Sequence, residues 1–223
     1  MTEAITVTSI QVGSPRQLGT PGAGESQQRP WRSTIFKHPV PGPVWLSRTG
    51  LDGDSQVAPT HGGPEMAVLA YAQTHYRRWQ AELQRHDITA GGFGENFTIQ
   101  GQDETGVCLG DVYAVGGAIV QVSQPRTPCW KLARRWRQAD LVERVLASGR
   151  HGWFFRVLQE GYVSPGQCLA LRDRPLPTWP MARVSAIKHG RELDPAGAAE
   201  LACCELLAPD CRAAMAKLAE AAP

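Results

Sequence analysis

No run of this chain approaches the roughly 18 consecutive apolar residues that a membrane helix needs, so no membrane segment is expected. Its start, Met1-Thr2-Glu3-Ala4-Ile5, lacks the basic and then apolar stretch of a secretory signal. The six cysteines include no C-x-x-C pair, and Cys203 and Cys204 are adjacent, a pattern that suggests neither a zinc site nor a disulfide framework. Reduced thiols and a cytoplasmic setting are the expectation. Charge of one sign is also missing: 23 Lys and Arg stand against 21 Asp and Glu, a formal +2. A dedicated nucleic-acid surface normally carries a large basic excess, so stable nucleic-acid binding is not expected. A local basic pocket for a phosphorylated small molecule is compatible with this balance.

Turn formers are abundant instead. The 23 Gly and 17 Pro among 223 residues exceed the roughly 12% of average chains. They imply a β-rich domain with many loops rather than a helical bundle. Residues 4–12 alternate and are β-branched, as in a strand. Gly13 to Pro30 has the composition of a mobile loop. Short strands are expected over 33–48, a turn at Gly50-Leu51-Asp52-Gly53-Asp54, and a helix over 64–86, with Val68, Leu69, Ala72, Tyr76, Trp79 and Leu83 at helical spacing. A hairpin over 111–123 turns at Gly116-Gly117. A second helix is expected over 132–148 with Gly149 after its end, then strands around 153–155, 162–163 and 168–171. The Pro-rich, charged stretch 172–180 reads as a boundary. It divides the chain into a β-rich domain, 1–178, and a small helical unit, 179–223, where Asp194-Pro195 and Pro209 mark helix starts. The fold class is α+β.

Ser123-Gln124-Pro125-Arg126-Thr127-Pro128-Cys129-Trp130-Lys131 is the most informative stretch for chemistry. Two prolines stiffen a loop that presents Cys129, and Arg126 and Lys131 flank it. Nearby cations favour a thiolate. Such a group can be a nucleophile, a redox thiol or a soft metal ligand; equally, Cys129 can be a small buried hydrophobe. His61-Gly62-Gly63-Pro64 is a loop that backbone and ligand can share closely, or a plain helix-entry turn. Gly92-Phe93-Gly94-Glu95-Asn96-Phe97 offers an amide suited to a heterocycle edge, or simply a turn. Asp52 and Asp54 read as Asx-turn residues ahead of metal ligands, and Lys37 as a solvated cation that can reach a phosphate. His75, His86, His151 and His189 show no ligand spacing. Arg134-Arg135-Trp136-Arg137 mixes cations with an aromatic, as nucleic-acid binders do, yet fits a solvated helix face or a dock for an acidic partner. Cys203, Cys204 and Cys211 read as core or near-core residues.

The segments Ile35-Phe36-Lys37, Gly50-Leu51-Asp52-Gly53-Asp54, His61-Gly62-Gly63-Pro64, Phe93-Gly94-Glu95-Asn96 and Gln124-Pro125-Arg126-Thr127-Pro128-Cys129, in this order, resemble the MOSC family, the molybdenum cofactor sulfurase C-terminal domain family. The likeness is to its YiiM-like bacterial branch, which adds a short helical C-terminal domain, and covers nearly the whole chain. The resemblance implies a β-barrel-like domain with inserted helices, holding a molybdopterin-type molybdenum cofactor with Cys129 as the protein ligand to the metal. It implies reduction of N-hydroxylated compounds, including hydroxylaminopurine base analogues, to amines, and hence base-analogue detoxification. Within it, Arg126 and Lys37, and less strongly Lys131, would hold the anionic end of the cofactor. Asn96 and the Gly94 backbone would contact its pterin or phosphate, and His61 and Glu95 would handle protons. Electrons would come from a separate flavin or iron–sulfur reductase, since no flavin or haem motif is visible. The helical tail would close over the site or pair two copies into a homodimer. Two alternatives stay open on the same fold: a sulfur carrier with a Cys129 persulfide, and a non-catalytic cofactor carrier.

Overall fold

Strand β1 (Thr6–Val12) forms where the sequence alternates, and it buries Val7 and Ile10 completely. The computed structural model describes residues 4–25, 28–57 and 61–221. Thr60, beside the His61 turn, and residues 26 and 27 of the Gly13–Pro30 segment lie outside them. Within that segment β2 (Arg16–Leu18) pairs with β3 (Trp31–Ser33) as a two-stranded ribbon. Part of the expected loop is therefore ordered by backbone pairing. Next come β4 (His38–Pro39), β5 (Val44–Ser47) and β6 (Gly50–Leu51).

The expected helix over 64–86 divides in three. Pro64–Met66 is one 3₁₀ turn, Val68–Ala72 is strand β7, and only Thr74–Leu83 is helical, as α1. All five residues of β7 are buried. It lies between an antiparallel and a parallel neighbour, and a strand covered on both faces reads as an unbroken apolar run that spacing alone cannot tell from a helix. Parallel pairing of β7 with β8 (Phe97–Gln100) requires a crossover, and α1 provides it.

Strands β9 (Val112–Val115) and β10 (Ala118–Pro125) form the expected hairpin. Gly116 turns it at φ 55°, where a Cβ would strike the Tyr162 carbonyl. The second expected helix breaks into α2 (Trp130–Trp136) and α3 (Leu141–Ser148), because Arg137 adopts a left-handed φ of 53°. Strands β11 (Trp153–Gln159), β12 (Gly161–Val163) and β13 (Ala170–Asp173) follow, then helices α4 (Met181–Lys188), α5 (Pro195–Ala202) and α6 (Pro209–Glu220). Asp194 caps α5 by accepting from Gly197 N at 2.8 Å, as its position before Pro195 implies.

The main sheet has eight strands in the order β13-β9-β10-β11-β7-β8-β1-β4 and curls into a half-barrel; a second sheet runs β12-β5-β6. One hydrophobic cluster fills the sheet and continues through Met181, Val184, Ile187, Leu201 and Met215 of the C-terminal helices. A second joins Tyr71, Tyr76, Trp79, Phe93, Leu132 and Trp136. Tyr71 and Phe93 stack there at 4.6 Å between ring centroids, an arrangement worth roughly 0.5–1.5 kcal/mol beyond burial. This aromatic cluster fixes the Gly91–Gly94 loop against α2. The Cys129 loop is thus held from both sides.

Candidate functional site

Strand β10 delivers the cysteine loop. Its pairing with β11 shifts register between Val122 and Gln124, an irregularity of the kind that re-aims a strand beside a functional site. Arg126 N then donates to Gly152 O at 3.1 Å, and Cys129 enters α2 with extended backbone, φ −113° and ψ 162°. The thiol is half-buried and free. It lines a cavity of about 120 Å³ together with Lys37, His61, Gly94, Asn96, Arg126 and Lys131. Seven of the eight residues that the resemblance assigns to the site therefore meet in one place, although they come from four separate segments. A neighbouring depression of about 460 Å³ shares Ser55, Gln56 and His61 with it.

Glu95 is the one that the fold does not bring to the lining. It is fully buried and accepts from Gly91 N (2.6 Å), Phe93 N (3.1 Å), Thr98 Oγ1 (3.0 Å) and the Tyr76 hydroxyl. Burial, then the Glu95 charge, push the Tyr76 phenol well above its ordinary pKa. Four donors on one carboxylate lock the Gly91–Gly94 turn. Glu95 is placed as a structural acceptor rather than as a group facing a substrate.

Lys37 is not the solvated cation expected. Its Nζ lies 2.6 Å from both oxygens of Asp54, with both side chains buried. Burial lowers its pKa, and Asp54 opposes that shift. Asp54 also accepts from Gly13 N (2.8 Å) and Asn96 Nδ2 (2.8 Å). Asn96 in turn donates to Gln11 O and accepts from Leu69 N, both at 3.1 Å, which ties β1 to the strand β7. Its amide is committed to the protein, so its contribution to the lining is as a wall. The Gly50–Asp54 run supplies an anchor for Lys37; from the sequence Asp54 is expected in a turn or, second to that, as a metal ligand.

Arg126 and Lys131 remain as the cations of the cavity, and no carboxylate among the described residues lines it. Arg126 is only 6% exposed, and its Nη1 has no partner among the described residues. A buried guanidinium nitrogen without an acceptor is costly, and an anion entering the cavity would satisfy it. Burial, then Lys131 and Arg126, lower the pKa of His61, so its imidazole is neutral at pH 7. Gly94 adopts φ 79° and a Cβ there would press on Ile35 at 3.0 Å; glycine keeps that wall open. A half-buried soft thiol, an unpaired buried cation and an acid-free lining fit an anionic, metal-bearing cofactor. His61 does not stand before a long helix, since a single 3₁₀ turn follows it.

Other expectations resolve differently. Arg135 and Trp136 face inward: the Arg135 guanidinium donates to Ile35 O and to Gly91 O (2.7 Å), and Trp136 Nε1 to Gly92 O at 2.8 Å. The run 134–137 is therefore only partly a solvated face. Cys203 is exposed, Cys204 half-buried and Cys211 buried, so Cys203 is no core residue. A wider cleft of about 1070 Å³ lies elsewhere, lined by Thr and Gln side chains with Arg77, Asp103 and Arg174, and by no Cys or His among the described residues. Size alone would favour it; the chemistry favours the Cys129 cavity.

A model of the MOSC domain family, a family of molybdenum cofactor-binding domains, matches residues 58–170. The uncharacterized protein YflK of Bacillus subtilis is 40% identical over 173 residues, covering 77% of this chain and 75% of that one. A protein of Gibberella moniliformis named "Reductase" is 36% identical over 166 residues, or 72% of this chain but 29% of that one. The crystal structure of YiiM from Geobacillus stearothermophilus superposes with a TM-score of 0.80 at 34% identity, covering 96% of this chain and 99% of the other. No helix among the described residues is long and apolar enough to cross a membrane.

Proposed function

Because the chain belongs to the MOSC domain family, we propose that it is a molybdenum-cofactor-dependent reductase converting N-hydroxylated compounds, such as hydroxylaminopurine base analogues, to amines. The observation that carries this reading is Cys129 in an acid-free cavity beside Arg126, whose buried Nη1 lacks an acceptor. The relative named "Reductase" supports it. Reduction of an N–OH group takes up two electrons and two protons and releases water. A bound molybdenum cofactor supplies the two-electron change; Cys129 would be its protein ligand. A separate flavin or iron–sulfur reductase would supply the electrons.

This chain's residues have four tasks. Arg126 and Lys131 hold the anionic end of the cofactor by charge-assisted contacts. Lys37, already neutralised by Asp54, acts with Asn96 to keep the floor rigid. Gly94 leaves room for close approach. His61, neutral and in the lining, passes protons between solvent and the reacting N–O group. The helices after residue 179 back the cysteine loop, where Lys188 Nζ reaches Pro125 O at 3.4 Å.

The test is molybdenum and pterin content of the protein purified from a cofactor-producing host, beside Cys129→Ala. The wild type should carry near-stoichiometric metal. The variant should keep its circular dichroism and lose at least about a hundredfold in reductase rate, the scale of removing an essential site group. Full activity in Cys129→Ala would refute the ligand role. Absence of metal and pterin from a competent host would sink the reductase reading and favour a Cys129 persulfide carrier.

A further inference from the structure

Glu104 stands outside every motif of the cysteine site, yet it is buried, at 4% exposed, and both its oxygens are engaged. Its Oε1 accepts from Gly152 N at 2.6 Å, and its Oε2 faces His75 Nε2 at 2.7 Å. A carboxylate only accepts, so the imidazole is the donor. His75, on α1, is buried as well and packs edge-on against the Tyr71 ring. The Glu104 carbonyl accepts from Ala182 N at 2.8 Å. One residue thus joins α1, the segment before β11 and the first turn of α4.

Two of these contacts lead to the cysteine loop. Gly152 O accepts from Arg126 N at 3.1 Å, and the next residue, Trp153, pairs with Pro125. Gly152 has φ 78°, and a Cβ there would strike the Ala70 carbonyl. It therefore carries no side chain of its own to anchor it, and its place is set from outside. The far end of α4 reaches Pro125 O through Lys188 Nζ at 3.4 Å. Tyr71 holds the same segment two residues earlier, donating its hydroxyl to Arg150 O at 3.2 Å. Arg126 Nη1 has no partner among the described residues, so the aim of its guanidinium rests on its backbone. A buried carboxylate is costly unless paired and hydrogen-bonded. Glu104 meets both conditions at the segment that holds Arg126.

We propose that Glu104, braced by His75, is a positioning residue of the cofactor site: it fixes Gly152, and through it the Arg126 backbone, so that Arg126 is held ready for an anionic group. This rests on the Cys129 cavity being the cofactor site. A binding constellation works when its groups are held to within roughly 0.5 Å by neighbours that are themselves locked. Glu104 acts at one remove: it is not part of the lining of the Cys129 cavity.

Amide hydrogen exchange reads the positioning without any cofactor. In cofactor-free protein, Glu104→Ala should speed exchange at Arg126 and Gly152 by about tenfold or more, while the amides of β1 and β8 keep their protection. Glu104→Gln should restore both. Its Oε1 still accepts from Gly152, and its amide donates to His75 once the imidazole proton moves to Nδ1, which has no partner to lose among the described residues. In protein from a cofactor-producing host, Glu104→Ala should retain about tenfold less molybdenum after dialysis, and Glu104→Gln as much as wild type. Leu46→Ala, a core truncation in β5, controls for lost stability and should alter neither reading. If Glu104→Ala does not fold, His75→Phe decides. It keeps a ring against Tyr71, removes the bond to Glu104, and should speed the same two amides by roughly threefold. Unchanged exchange at Arg126 and Gly152 in the folded variant would overturn the proposal. So would the same changes in Leu46→Ala, or faster exchange with undiminished molybdenum. Two amides that respond as expected in a wild type that carries no molybdenum would uphold the hold on Arg126 and refute the cofactor reading of the cavity.

Discussion

Two buried polar clusters flank the cysteine loop, and they are opposites. On one side Glu95 is met by four donors. On the other, between the loop and α4, His151 and His189 stack at 4.8 Å with an interplanar angle of 6°. Neither ring nitrogen of His151 has a partner among the described residues, nor does His189 Nε2 or Arg126 Nη1. Around the pair are Arg126, Lys188 and Arg191. A filled network rigidifies, whereas a cluster of unmet donors and like charges stores a penalty that protonation enlarges. The first cluster sets the wall of the site. The second makes its back pH-sensitive.

The comparison can be broken most directly at Glu95. Glu95→Ala strands two backbone N–H groups and two hydroxyls in the interior, and about 3–5 kcal/mol of stability should be lost. Urea denaturation measures this; a loss below about 1 kcal/mol would mean that the donors find other acceptors and the knot is not structural.

Acid probes the opposite cluster. Burial, and after it the neighbouring His189, lower His151 to about 3, while burial and then Lys188 lower His189 to about 4. Both are neutral in the folded state at pH 5, where the unfolded chain, with His near 6.5, binds the protons. Stability is therefore fully present above about 6.5 and falls as pH drops from there toward the folded values. Between pH 7.5 and 5 the decline should be on the order of 3 kcal/mol, about 2 from His151 and a discounted share from the more solvated His189. In the His151→Leu, His189→Leu double variant this slope should flatten, and stability at pH 7.5 should hold or rise. A slope identical to wild type would assign the acid sensitivity to other groups. The smallest effect belongs to Cys203→Ala: an exposed thiol should change melting behaviour by less than about 0.5 kcal/mol and leave turnover intact. A large change there would point to a covalent or metal role for that cysteine.

The architecture was legible where a local rule sufficed. The β9–β10 hairpin follows from Gly116-Gly117, the cap of α5 from Asp194-Pro195, and the start of α6 from Pro209. It failed at β7 and at the break between α2 and α3. Burial on both faces removes the period that separates strand from helix, and a non-glycine residue at positive φ, here Arg137, leaves no mark in composition. The site divided in the same way. Lys37, His61, Gly94, Asn96, Arg126, Cys129 and Lys131 were identified from motifs and gathered by the fold into one cavity. Which of them are chemically free was not visible.

By itself the sequence determined the α+β class, the family and the cysteine loop, because these rest on turn chemistry, short-range spacing and the order of motifs. Only the tertiary structure decided that Asp54 neutralises Lys37, that Glu95 turns to Tyr76 and the Gly91 amide, and that Arg126 keeps an unmet nitrogen. Each of those facts is a pairing between segments far apart in the chain. A side chain's charge, protonation and availability are set by its neighbours in space, and a linear pattern does not carry them.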